Sequence, residues 1–208
     1  SLTIAALSNY GPGMIDFLKD VIKNQDWDIS RTQQIPSIVE KLGTQASVEF
    51  LFSLLDHENS GLQMEALRSL NVLKINHSNL KFHQRMIIKR IMEEAHLYLE
   101  ILSVLYLEST AIDKEQELTK TEGQELLIEA RKNLMSLLEV RLDGHLERIF
   151  RLLGLKYPPD DILIIYQSLQ SKKEDLRLNA IEFLDNLLES NLKRVLVPIV
   201  EAALIENI

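Results

Sequence analysis

The chain has 208 residues, 46% of them hydrophobic and 26% charged, with 23 Lys and Arg against 31 Asp and Glu for a net charge of −8. Seven Gly and five Pro are about half the usual share of roughly 12%, too few for the turns of an all-β fold, and the apolar content is too high for disorder. The absence of Cys excludes disulfide scaffolds, Cys-ligated zinc, iron–sulfur clusters and thiol catalysis, and the acidic balance matches a phosphate backbone poorly.

Residues 1–7 lack a basic region and are too short for a signal peptide. After a Gly11-Pro12-Gly13 break, Met14, Phe17, Leu18, Val21 and Ile22 follow the i, i+3, i+4 spacing of a helix. Ile35, Ile38, Val39 and Leu42 form a second stripe, ended by Gly43, the residue that tolerates a helix C′ position. Val48, Leu51, Phe52 and Leu55 begin a third helix, residues 56–61 form a polar turn, and Met64, Leu67, Leu70 and Leu73 make a fourth helix. Two longer helices follow. Phe82, Met86, Ile87, Ile91, Ala95, Tyr98, Leu102 and Leu105 trace one face over about 80–108, and Leu127, Ala130, Leu134, Leu138, Leu142, His145, Ile149 and Leu153 trace another over about 123–155. The charged stretch between them, residues 108–123, reads as a mobile loop. The apolar run 97–107 is too short for a membrane span of about 20 residues and reads as a buried helix. Pro158 and Pro159 start the next helix, with Asp160 and Asp161 in its first turn; residues 162–169 and 176–188 form a further pair, and Pro198 is expected to kink or restart the last helix. The start without Met and the apolar end are expected of a piece of a larger protein.

Residues 30–38, 62–70 and 176–184 align as repeats, with an apolar residue at the sixth place (Ile35, Leu67, Ile181) and at the ninth (Ile38, Leu70, Leu184). The first two copies are 32 residues apart, inside the solenoid range of about 20–50. Each follows an acidic turn: Asp26-Trp27-Asp28, Asp56-His57-Glu58 and Glu174-Asp175. An acid there accepts orphan backbone N–H groups at a helix start. One helical pair cannot bury its apolar face alone, so such pairs stack.

With these copies in view, the chain resembles HEAT repeats. The resemblance implies an all-α, α-α superhelix in which an Arg early in the second helix of each pair joins an Asp ladder between neighbours. Arg31 and Arg177 stand at that Arg position, while Gln63 departs from it. Residues 146–162 (LERIFRLLGLKYPPDDI) and 176–188 (LRLNAIEFLDNLL) are similar to the HEAT-repeat region of bacterial ADP/ATP translocase-like membrane proteins that often also carry a cyclic-nucleotide-binding domain. What this implies is one HEAT-like domain over 1–208, with regular pairs in 1–74, a long pair in 75–157 with its connector at 109–121, and a last pair plus partial repeat in 158–208. It further implies a non-catalytic scaffold without a cofactor, on the cytoplasmic side of an inner-membrane parent and facing protein partners rather than nucleic acid. Alternatives are a stand-alone helical regulator that binds protein and a metal-dependent helical enzyme.

Other constellations have a bland reading beside the functional one. Glu93 and His96 form a Glu-x-x-His pair, as in di-iron bundles, but a second pair is missing. His145 and Glu147 form a His-x-Glu without the Cys ligands of zinc deaminases, and His145 on an apolar stripe reads as a hydrogen-bonded core or boundary residue. Asn76-His77-Ser78 reads as an N-cap cluster for a helix starting near Leu80. Lys81, Arg85 and Lys89 recur every four residues, either as a basic stripe for nucleic acid, a lipid headgroup or an acidic partner, or as a solvated face with Lys89–Glu93 and Arg90–Glu94 pairs. Trp27 reads as packed in its turn.

Overall fold

The computed structural model describes residues 13–24, 28–116 and 122–206. Gly11, Pro12, Asp26, Trp27 and residues 117–121 of the expected connector lie outside these. The described chain is all-α, and no strand occurs among its residues. In order the helices are α1 Gly13–Asn24, α2 Ile29–Thr32, α3 Ile35–Glu40, α4 Gln45–Ser53, a 3-10 turn Leu54–Asp56, α5 Ser60–Asn76, α6 Gln84–Gln116, α7 Glu122–Lys156, α8 Pro159–Leu169, α9 Glu174–Leu187 and α10 Ser190–Glu206. They divide into two compact units: the chain up to Ile87 with Arg151–Leu163, and Ile88–Phe150 with Ile164–Ile208.

In the first unit, side-chain caps set where helices begin. Asp28 accepts from the Arg31 N–H at 2.8 Å to start α2. Thr44 and Ser47 form a reciprocal capping box at α4, and Asn59 accepts from the Leu62 N–H at 2.9 Å to start α5. Ile35, Ile38 and Val39 of α3 and Leu67 and Leu70 of α5 are buried, and α5 packs on both α3 and α4. The first repeat copy is a broken helix rather than a continuous one. Pro36 has no N–H and opposes a carbonyl four residues back, so the chain turns at Gln33 and Gln34 between α2 and α3. Gly43 has φ +62°, and a Cβ there would sit 2.8 Å from the His77 ring. The His77 ring therefore occupies space that only glycine leaves open, and the His77 backbone N–H closes α5 on the Leu73 carbonyl at 3.0 Å. The expected N-cap role of Asn76-His77-Ser78 is thereby corrected to an α5 C-terminus, with α6 starting at Gln84. Asn71 also ties α5 to α7, donating to the Leu67 carbonyl at 2.8 Å and the Arg151 carbonyl at 3.0 Å.

In the second unit, α6 and α7 run antiparallel. Glu94 contacts His145 at 2.6 Å, and Glu108 contacts Arg131 at 3.7 Å. Going from Glu94 to Glu108 advances fourteen residues, and going from His145 to Arg131 retreats fourteen, so the two helices hold one register over about 21 Å. Fourteen residues are two heptads, and the burial pattern follows that repeat. On α6 the inward positions are Ile91, Ala95, Tyr98, Leu102, Leu105, Ser109 and Ile112, alternating four and three residues apart. On α7 they are Ile128, Arg131, Met135, Leu138, Leu142, His145 and Ile149, with the same alternation. Such a period of 3.5 keeps a two-helix seam in line where a period of 3.6 would drift off it. In α9 and α10, which pack together, Ala180, Leu184, Leu192 and Leu196 are buried and Lys193 bonds Asp185 at 2.6 Å.

Several expected faces shift for this reason. Leu127 and Leu134 follow a 3.6 period and are exposed, whereas Ile128 and Met135 take the inward positions. The run 97–107 is helical but not buried. Tyr98 and Leu105 face inward, and Leu97, Leu99, Val104, Tyr106 and Leu107 are exposed. The expected loop from residue 108 is helix up to Gln116, with Ile112 buried and the Ser109 and Thr110 hydroxyls returned to the Tyr106 carbonyl at 2.9 Å. Phe17 and Met86 are exposed beside buried Met14, Leu18 and Ile87. Ile181 is half-buried, with Ala180 taking the inward place. Pro198 neither ends nor restarts α10. No helix among the described residues is long and apolar enough to cross a membrane.

Replacing Leu184, fully buried, with Asp places an unpaired carboxylate in the α9–α10 packing. Leu184→Asp is expected to cost more than about 3 kcal/mol, read as loss of cooperative melting; an unchanged melting curve would remove Leu184 from the core. Gly43→Ala is expected to cost about 1–3 kcal/mol through its positive φ and the His77 ring. His77→Ala in the same background should recover part of that loss.

Candidate functional site

The sequence-marked candidates do not converge. Lys81 precedes α6 and is held by Gln45, whose side-chain amide accepts from the Lys81 N–H at 2.9 Å and donates to the Lys81 carbonyl at 3.0 Å. Arg85 and Lys89 are exposed on α6, and Lys89 pairs with Glu93 at 3.4 Å. The basic residues therefore do not form one helical stripe of three, because the helix starts after the first of them. His96 pairs with exposed Glu100 at 3.1 Å, and Glu93 bonds Arg90 at 3.1 Å, so the Glu-x-x-His pair is divided between different partners. Arg31 pairs with Asp28 of its own turn at 3.6 Å, and Arg177 donates to the Ser171 carbonyl of its own turn at 3.3 Å. These bonds are local and do not make a ladder between neighbours. Among the described residues no three His, Asp or Glu side chains are grouped to hold a metal ion.

Two features of the second unit stand out instead. The first is a buried ionic cluster on the α6–α7 seam. Glu94 Oε2 accepts from Arg148 Nε at 2.9 Å and lies 2.6 Å from His145 Nδ1. Arg148 Nη2 lies 2.7 Å from the same His145 nitrogen. One nitrogen cannot donate to the carboxylate and accept from the guanidinium at once, so the proton position on His145 selects one bond or the other. Burial pushes the Glu94 carboxyl up, but the His145 hydrogen bond and the Arg148 charge outweigh it and hold the group below its ordinary value of 4.5. Across the described residues no buried side-chain N or O lacks a hydrogen-bond partner. The cluster is thus internally satisfied, and it ties α6 to α7.

The second feature is an open cleft of about 960 Å³. Tyr98, Leu102, Leu105 and Tyr106 of α6 line it with Met135, Leu142 and Leu146 of α7, and Ala202 and Ala203 of α10 add a small-residue wall. The cluster and the cleft occupy opposite flanks of the seam. Glu94 and Arg148 each precede an inward position, while Tyr106, Glu139 and Leu146 each follow one. On the cleft flank Met92, Leu99 and Tyr106 recur every seven residues and are exposed, Tyr106 to 72%. Leu137 and Val140 of α7 are also exposed, at 66% and 69%.

Sequence reasoning placed His145 at a hydrogen-bonded boundary but missed Glu94, its partner 51 residues away. A heptad count on both long helices finds it, because Glu94 adjoins an inward Ala95 and Arg148 adjoins an inward Ile149. The exposed leucines were masked by assuming that every apolar residue of a long helix faces a core.

Neither a protein-family model, nor a curated protein, nor a solved structure matches this chain.

The cluster predicts a pH dependence. Because the folded-state pKa of Glu94 lies below its ordinary value of 4.5, its contribution is present above that value and is lost as pH falls through the lower folded-state value. Glu94→Gln leaves Arg148 without its charge partner and is expected to cost about 3 kcal/mol at pH 7. The gap between wild type and variant should narrow as melting is followed from pH 5 toward pH 3. A gap constant over that range would remove Glu94 from the balance.

Proposed function

We propose that the chain is a non-catalytic, HEAT-like helical interaction module that presents an apolar helix face to a protein partner. The observation that carries this reading is the apolar row along the cleft flank of α6: Met92, Leu99 and Tyr106 are large, exposed and recur every seven residues. Single exposed leucines are ordinary on protein surfaces, but a row of them at heptad spacing marks a surface built for burial. The polar groups support the same reading, since the half-buried Glu94 and the buried His145 and Arg148 are spent on one another. The likeness of residues 146–162 and 176–188 to the HEAT region of translocase-like membrane proteins supports a scaffold placed beside other domains of a longer polypeptide.

Site-specific photo-crosslinking in cells tests the reading. A photoreactive residue at position 99 or 106 should give one discrete protein adduct, while the same group at exposed Arg141, on the opposite flank of α7, should give none. No adduct from either apolar position, or equal adducts from all three, would contradict it.

A further inference from the structure

Resting on the interaction reading above, we infer that the cleft of the second unit is a docking groove for a basic amphipathic helix of a protein partner. The groove is built like the side of a helical bundle from which one helix has been left out. Its floor is the apolar flank of the α6–α7 seam, with Tyr98 facing Leu142 and Leu105 facing Met135 at heptad spacing, and a third helix is the element whose i, i+3, i+4 side chains fill such a floor. Ala202 and Ala203 keep the α10 wall low, so an incoming backbone can approach closely. An open cleft suits a helix better than a small molecule, which prefers a site that surrounds it.

Charge selects the occupant. Among the described residues the lining contains two charged side chains, Glu139 and Asp143, both acidic, both exposed, and one helical turn apart along α7. The serines of the lining do not compete, because Ser103 donates to the Leu99 carbonyl at 2.8 Å and Ser109 to the Tyr106 carbonyl at 2.9 Å, each within α6. A partner helix therefore meets an apolar floor and an acidic edge, on a chain of net charge −8. Lys or Arg beside its apolar stripe would be drawn in and oriented by that edge. A second copy of this chain is disfavoured, since it would bring Glu139 and Asp143 against another acidic surface.

The test titrates the full chain with a designed helical peptide of about 20 residues, carrying Leu at heptad core positions and Lys beside them. Its counterparts carry Glu in place of Lys, or the same residues in scrambled order. The Lys peptide is expected to bind at one to one, with affinity falling as salt rises, and Glu139→Lys combined with Asp143→Lys should weaken it about tenfold while improving the Glu peptide. Glu182→Lys, on the exposed side of α9, should change nothing. Equal binding of Lys, Glu and scrambled peptides, or indifference to the double reversal, would overturn the inference. Self-association abolished by Tyr106→Glu would also overturn it, by making a second copy the occupant. If the peptide arms fail while adducts still form at positions 99 and 106, the basic-helix inference alone falls; if those adducts are missing too, the interaction reading beneath it falls as well.

Discussion

A carboxylate half-buried between two helices favours cations beside it, and one register supplies two of them. Glu94 is answered by Arg148 and His145, and with Glu108 and Arg131 fourteen residues further along this fixes how α6 lies against α7. Sliding the pair by one heptad would set Ala95 opposite Leu152, with Leu155 in place of Arg148, leaving the Glu94 charge to face apolar neighbours; the opposite slide keeps a cation, Arg141, but replaces His145 with Leu138. Losing one partner of a buried pair costs about 3–5 kcal/mol, more than apolar side chains of similar size lose by exchanging places. The leucines of the seam tolerate several registers, so the ionic cluster is what makes one of them preferred.

The surface of the second unit follows from that register. Once Tyr98, Leu102, Leu105, Leu138 and Leu142 are turned toward the seam, Leu99, Tyr106, Leu137 and Val140 must point elsewhere. Two flanks result. One is spent on the ionic cluster, and the other carries the open cleft with Glu139 and Asp143 at its edge. The proposed role as an interaction module is a reading of that second flank, where apolar side chains and unspent carboxylates lie side by side.

Much of the helical architecture was legible from apolar spacing. Ile35, Ile38, Leu67, Leu70 and Leu184 are inward as expected, and the two long helices fall close to their expected places. What the spacing could not show was which period ruled the long helices. Over thirty residues a 3.6 stripe and a 3.5 seam diverge by nearly one side chain, which is the step from Leu127 and Leu134 to the inward Ile128 and Met135. Charge content likewise made residues 108–116 look like a loop, although buried Ile112 and the Glu108–Arg131 pair continue the helix. The Glu94–His145 contact spans 51 residues, and local pattern carries no trace of such a partner. The tie from Asn71 to Arg151 was hidden for the same reason, at 80 residues' separation.

The register itself can be measured in a chain that contains no cysteine, since any disulfide then comes from the pair introduced. The seam places position 102 opposite 138, whereas positions 105 and 142 are offset by one heptad, about 10 Å along the axis. Disulfides need Cα atoms within about 7 Å. Mild oxidation of the Leu102→Cys, Leu138→Cys double variant should therefore close a bond within the monomer, and the Leu105→Cys, Leu142→Cys variant should stay reduced. Closure of the second pair in preference to the first would contradict the register, and with it the assignment of the flank that carries the cleft.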